Sequence, residues 1–307
     1  MMENNILVSC NNITKRYSNQ LALNDFSMTI YKGDVYGFVG ENGSGKTTII
    51  RILSGLVHQS SGNYSLFGVN DSDKGILDVR KKIGAIVESP SIYPHMTLKD
   101  NMKMAGLICG NTDVNEHKRI LSLVGLDTIY NDNKKVINFS LGMRQRLGIA
   151  FALLSNPEFI MLDEPMNGLD PEGIVEIRNL IIDLNQNHGI TFLISSHILS
   201  ELSLVATRYG IISHGRMLKE VTKEELTDSV KPELVINLDE IEKAYELLSN
   251  NYEVIKFNKG IKIIGDYNLN EVLKTLQENN IIISGVIKVE GDIEKYYLSI
   301  IRGNNNG

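Results

Sequence analysis

Apolar residues follow different spacings along this chain, and the changes of spacing mark out its parts. Near the start, LVSCNNITKRY and ALNDFSMTIYKG alternate in part, as half-buried strands do. Gly33-Asp34 then turns the chain into VYGFVG, a short continuous apolar run that ends at Gly40. TTIIRILSGL takes up helical spacing after it. Short strands are predicted at 64–69 and 83–87, and helix from about Leu98 to Tyr130 with a break near Gly110–Asp113. FIMLDE and TFLISS are aliphatic runs of strand length, separated by the amphipathic helix pattern PEGIVEIRNLIIDLNQNHG. Strands alternating with helices predict an α/β fold, a parallel sheet covered by helices.

After about Leu218 the order changes. LVINL, DEIEKAYELLSNN, YEVIKF, the turn NKG, IKIIG, NLNEVLKTLQENN and IIISGVIKVE follow one another. That is β-α-β-β-α-β, the ferredoxin-like order, closed by the helical stretch IEKYYLSII. VTKEELTDSVKP is the expected linker, so the prediction is an α/β domain over 5–220 and a small α+β domain over 221–303.

With 307 residues, 42% of them hydrophobic and 22% charged, the chain has room for both. A net charge of −6 leaves no dominant basic face and argues against nucleic acid as a partner. The two cysteines, Cys10 and Cys109, stand apart, which suits small buried hydrophobes in a reducing cytosol. The polar start MMENNILVS does not read as a secretory signal. The best apolar run, LGIAFALLSNPEFIMLD, is broken by Asn156 and Pro157, so any work at a membrane needs a separate spanning subunit.

Candidate chemistry begins with GENGSGKTT, Gly40 to Thr48, which fits G-x-x-x-x-G-K-[ST] between a strand and a helix. Its residues Gly40, Glu41, Asn42, Gly43, Ser44, Gly45, Lys46, Thr47 and Thr48 are expected to bind nucleotide phosphates through converging backbone N–H groups. Lys46 is expected to reach the β- and γ-phosphates, and Thr47 to ligate Mg²⁺. FIMLDEP puts Asp163 and Glu164 at the carboxyl end of a buried strand, where open α/β sheets bind ligands. Asp163 is expected to hold Mg²⁺ through water, and Glu164 to act as general base or to orient water. His197 ends TFLISSHI on what would be the neighbouring strand, within reach of the γ-phosphate. No other histidine has a partner at metal-ligand spacing. Tyr17 could stack on a base or simply pack. Asp170 before Pro171 reads as a helix N-cap.

FSLGMRQR, Phe139 to Arg146, leads into a basic amphipathic helix and completes a pattern. Together these segments resemble the ATP-binding subunit of ABC transporters across about residues 5–220. GENGSGKT looks like that family's Walker A motif, FIMLDE its Walker B, FSLGM its signature, NGLD its D-loop and SSH its switch histidine. The resemblance implies a P-loop NTPase fold: a RecA-like parallel core, an antiparallel β subdomain and a helical subdomain. It implies ATP and Mg²⁺ as cofactors, and it puts Tyr17 where the adenine-stacking aromatic lies. A phosphate loop at one end of the sheet and a signature on a separate helical arm cannot both face one ATP within a single chain. The resemblance therefore implies a second ATP-binding subunit, identical or different, whose Ser140, Leu141, Gly142 and Met143 cap the nucleotide in trans. It also implies an integral membrane permease, with this chain cytoplasmic and peripheral on the inner face of the membrane. Ile92 and Tyr93, in SPSIYPHMT, are the expected docking surface.

Two positions depart from the family pattern. Leu141 and Met143 stand where the signature LSGGQ has glycine and glutamine, and Glu88 stands where a glutamine is usual. A carboxylate at 88 can still ligate Mg²⁺ or position water, but it adds negative charge beside the phosphates. Both departures, with the small C-terminal domain, resemble the bacitracin and lantibiotic self-protection branch, which exports peptide antibiotics. The competing reading is a soluble ABC-type ATPase acting on a non-transport partner; such proteins usually carry two such domains in tandem or a long coiled-coil insertion, and neither is present. A GTPase is disfavoured because NKKV at Asn133 fails the base-reading N-K-x-D.

Overall fold

Partial alternation at the N-terminus becomes two long antiparallel strands, β1 (Ile6–Tyr17) and β2 (Gln20–Tyr31). The computed structural model describes residues 5–289, 291 and 293–304. β3 (Val35–Val39) is buried at every position and feeds the phosphate loop into α1 (Lys46–Leu53). β4 (Ser61–Leu66) and β5 (Val69–Asn70) extend the first sheet to the order β2-β1-β4-β5. After α2 (Ile76–Arg80), β6 (Ile83–Ile86) forms an edge of the second sheet.

A helical arm follows: α3 (Leu98–Cys109), α4 (Val114–Leu123) and α5 (Leu141–Leu153). Thr97, Asp113 and Ser140 cap these helices, each accepting a hydrogen bond from a backbone N–H of the first turn. The chain then alternates between strand and helix. β7 (Phe159–Asp163), α6 (Pro171–Gln186), β8 (Thr191–Ser196), α7 (Leu199–Ser203), β9 (Arg208–Ser213) and β10 (Arg216–Thr222) follow in turn. Asp170 caps α6 and Pro171 occupies its first position. The second sheet runs β10-β9-β3-β8-β7-β6, parallel throughout except for β10.

Burial explains why β3, β7 and β8 read as continuous apolar runs: every residue in them is inside. α1 is wedged between the two sheets. Ile49, Ile50, Ile52 and Leu53 are fully buried, in one core with Val8, Ile13 and Phe26 of the first sheet and Phe38, Phe159 and Leu193 of the second. The register sets Val39 opposite Ser196 and Asp163 opposite Ser195, so the carboxyl ends of β3, β7 and β8 finish level.

The chain divides into two compact units after Lys223. The expected linker is largely structured: β10 runs to Thr222 and α8 (Lys223–Ser229) follows at once. Leu226 is its one buried anchor, and Glu224 and Glu225 sit favourably in its first turn. A helix this short, with one apolar residue, leaves no periodicity to read.

In the second unit, β11 (Glu233–Leu238), α9 (Ile241–Leu248), β12 (Glu253–Phe257), β13 (Gly260–Ile264), α10 (Leu269–Glu278), β14 (Ile283–Val289) and α11 (Ile293–Asn304) follow in order. The strands pair antiparallel as β12-β13-β11-β14. Alternate residues Leu234, Ile236 and Leu238 of β11 are buried with Ala244, Leu248, Val272 and Leu276 of the helices.

Candidate nucleotide site

The level ends of β3, β7 and β8 bring the phosphate loop, Asp163-Glu164 and Ser195-Ser196-His197 to one edge of the sheet. A pocket of about 260 Å³ opens there. Asn42, Gly43 and Gly45 to Thr48 line it from the loop, Tyr17, Gln20 and Ala22 from the first sheet, and Glu164 from the end of β7. Gly45 takes φ +113°, a left-handed conformation open to glycine, and no side chain caps α1. The first turn of that helix lines the pocket and has no side-chain acceptor at its N-cap. Ser44 Oγ is buried with no hydrogen-bond partner among the described residues.

Lys46 is 5% exposed, and a buried ammonium needs partners. It donates to Gly40 O at 2.6 Å and Glu41 O at 3.2 Å, and lies 3.3 Å from Glu164 Oε1. Glu164 Oε2 lies 2.8 Å from His197 Nδ1, so one carboxylate spans the lysine and the histidine. Thr47 Oγ1 donates to Asp163 Oδ2 at 2.8 Å. Ser195 Oγ donates to Asp163 Oδ1 at 2.6 Å and accepts from Glu164 N–H at 2.9 Å. Glu164 itself sits at φ +49°, a left-handed strain of the kind that gathers at functional sites, costing about 1–3 kcal/mol. The arrangement offers a glycine-rich loop, a hydroxyl–carboxylate oxygen pair, and a carboxylate held between a lysine and a histidine.

Lys46, Thr47, Asp163, Glu164, His197 and Tyr17 thus converge. Glu88 does not join Thr47 and Asp163: at φ +63° its side chain turns to Arg51, with Oε1 2.5 Å from the guanidinium. Ser140, Leu141, Gly142 and Met143 are absent from the pocket lining. Ser140 Oγ accepts from Met143 N–H as the cap of α5, and Leu141 is exposed. Leu141 and Gly142 pack beside Gly168 and Gly173, next to the NGLD loop of their own chain. Tyr93 is exposed but Ile92 is half-buried, and neither lines the larger groove nearby. That groove, about 810 Å³, is formed by Ile83, Ile86 and Pro90 with Ile108 of α3 and Phe151 of α5.

Sequence reasoning missed Ser195, although a polar residue inside the aliphatic run TFLISS was a signal. It also missed Gln20, Ala22 and Arg51, which carry no motif. Gly40 was singled out for its loop, and its packing adds a reason. A Cβ there would meet Ile212 O at 2.5 Å and Ser44 Oγ at 2.6 Å. Gly40→Ala is therefore expected to destabilise by about 1–3 kcal/mol as overpacking does, lowering the melting temperature by about 2–4 °C per kcal/mol. Calorimetry of the variant checks this.

Comparison with known proteins agrees with the geometry. The ABC transporter family matches residues 23–167. The bacitracin transport ATP-binding protein BcrA of Bacillus licheniformis is 36% identical, over 98% of this chain and 99% of its own length. The lantibiotic transport ATP-binding protein SrtF of Streptococcus pyogenes is 42% identical, over 70% of this chain and 90% of its own. A dimeric ATP-binding cassette in a post-hydrolysis state, bound to ADP and Pi, superposes with a TM-score of 0.63 at 25% identity, covering 71% of this chain and 99% of that one. Alike along its whole length to one such subunit, and with a phosphate loop and carboxylate pair at the matching sheet edge, the chain belongs to the ATP-binding, ATP-hydrolysing subunits of ABC transporters.

Proposed function

We propose that this ATPase energises export of a peptide antibiotic of the bacitracin or lantibiotic kind through a separate membrane permease, working at the cytoplasmic face of the membrane. The observation that carries this reading is the whole-length likeness to the bacitracin subunit, which includes the small C-terminal domain. The lantibiotic relative aligns over only 70% of the chain, which tilts the reading toward bacitracin. Residues 5–220 form the motor module and 221–303 an accessory module. The order of its strands, second-third-first-fourth and all antiparallel, supports a ferredoxin-like fold for that module. Among the described residues no helix is long and apolar enough to cross a membrane, and the likeness to transport ATP-binding subunits supports a separate spanning partner.

The site residues take their roles from their positions. Lys46 exchanges Glu164 for the β- and γ-phosphates, and Ser44 Oγ gains a phosphate oxygen as its missing partner. Glu164, released from Lys46, accepts the proton of the attacking water. His197 fixes that carboxylate and reaches the γ-phosphate. Tyr17, at the rim of the pocket, stacks on the adenine. Thr47 and Asp163 supply hard oxygens that suit Mg²⁺, and Glu88 is a further candidate. No group of three or more His, Cys, Asp or Glu among the described residues could cage a metal, so the ion would share these ligands with the phosphates. Bound there, Mg²⁺ would neutralise charge on the transferring phosphoryl group. Ser195 holds Asp163 and the Glu164 backbone in register.

The apolar groove beside β6 suits a cytoplasmic helix of the permease, and Ile92 and Tyr93 follow directly on its lining residues Pro90 and Ser91. Cys109 lies on its lining and is exposed. Cys10 is fully buried, and burial pushes its thiol far above the usual range. A maleimide should therefore label Cys109 alone, block association with the permease, and leave ATP binding unchanged. Association that survives labelling removes the groove from the interface. The function itself is tested by purifying the chain from native membranes and measuring bacitracin and lantibiotic susceptibility of a deletion strain. A co-purifying membrane protein and increased susceptibility are expected. If neither is found, the non-transport reading replaces this one.

A further inference from the structure

Glu88 carries a charge where the ABC transporter pattern usually has a neutral glutamine, and the structure gives that charge a partner. Arg51 lies on α1 four residues beyond Thr47, on the same helical face and about 6 Å along the axis. Its guanidinium holds Glu88 Oε1 at 2.5 Å. Thr47, one turn back, holds Asp163. Two residues one turn apart on α1 thus hold the two carboxylates, Thr47 that of Asp163 and Arg51 that of Glu88. We propose that Arg51 is a positioning residue: it keeps Glu88 off the cation position at rest and surrenders it when Mg²⁺ and the triphosphate arrive. The inference rests on the reading of Glu88 as a cation-side carboxylate.

Charge decides when the exchange occurs. Beside Asp163, Glu164 and a triphosphate, another carboxylate is unfavourable until a divalent cation offsets it. Arg51 offers the alternative site. The pair is exposed, 36% at Arg51 and 63% at Glu88, and exposed ion pairs are weak enough to exchange readily. A glutamine at 88 would have no charge to bring to Arg51, so the carboxylate and the arginine make sense as a pair. Glu88 also sits between Val87 and Ser89, which line the apolar groove, and its left-handed φ of +63° marks a strained turn. The segment that shapes the groove is therefore tied through one side chain to the helix of the phosphate loop.

The test measures the gain in affinity for a non-hydrolysable ATP analogue when EDTA is replaced by Mg²⁺, using calorimetry on the full chain. Arg51→Gln frees Glu88 and should raise that gain by about two- to fivefold, the range set by an exposed ion pair. Glu88→Ala should lower the gain, and adding Arg51→Gln to it should change nothing further. Arg51→Lys, which keeps the charge, should return the gain toward the native value. A rise with Arg51→Gln that persists in the Glu88→Ala background overturns the proposal, because Arg51 would then act by its charge alone. An unchanged gain in Arg51→Gln, with Glu88→Ala still lowering it, overturns the parking role and spares the cation role of Glu88. An unchanged gain in Glu88→Ala overturns that cation role, and the proposal with it. Melting curves of all variants should coincide within about 2 °C, since so exposed a pair contributes little to stability.

Discussion

Glu164→Gln is expected to bind ATP and to lose steady-state hydrolysis by about 10²–10⁴-fold, the contribution typical of a positioned general base. The carboxylate is held at 3.3 Å from Lys46 and 2.8 Å from His197, so an amide of the same shape can occupy the place. It cannot accept the proton of water. A second effect has the opposite sign. In the resting chain Lys46 shares its charge with Glu164, and a nucleotide must displace that partner. With the charge at 164 removed, Lys46 is freer for phosphate, and ATP should bind at least as tightly as to the native chain. The signature of the variant is therefore split: affinity kept or raised, turnover collapsed. Phosphate release and calorimetric titration of the purified variant read the two halves. Undiminished hydrolysis would remove Glu164 from the role of base.

The parts of the fold that read correctly are those where one local signal decides. Continuous aliphatic runs gave β3, β7 and β8, because buried parallel strands need no alternation. The cap at Asp170-Pro171 was legible because capping chemistry is local. α8 was not, since its only anchor is Leu226 and the rest of it is polar. At the site, the phosphate loop and the carboxylates carry their own motifs. Ser195 matters through the register that sets it opposite Asp163, and register depends on which strands pair. Arg51 and Glu88 meet across two elements, so neither position by itself announces the pair. The groove had no sequence signal at all: Ile83, Ile108 and Phe151 come from β6, α3 and α5, and only packing assembles them.

Ser140→Arg is expected to abolish the ATP-induced dimer and to lower hydrolysis on the order of 10³-fold, the lower end of what transition-state contacts supplied in trans contribute. The chain's own pocket, at about 260 Å³, is smaller than sites that enclose a ligand of ordinary size, about 300–1,000 Å³. It contains none of Ser140, Leu141, Gly142 or Met143. A half-open site and an unused signature are two parts of one arrangement if the signature closes a partner's pocket. Leu141 is 43% exposed beside the NGLD loop, as a residue at such a junction would be. An arginine at 140 would put bulk and charge at that junction, while the pocket of its own chain stays intact. ATP binding to the monomer should thus remain within about twofold of native, because no pocket contact is lost. Replacing Ser140 also removes the cap of α5, which costs about 1 kcal/mol. The melting temperature should fall by only about 2–4 °C in consequence, so the variant remains folded for the test. Sizing in ATP with Glu164→Gln as the background, where hydrolysis does not empty the dimer, compares Ser140 with its replacement directly. A dimer that persists with arginine at 140 means that the signature does not act across subunits.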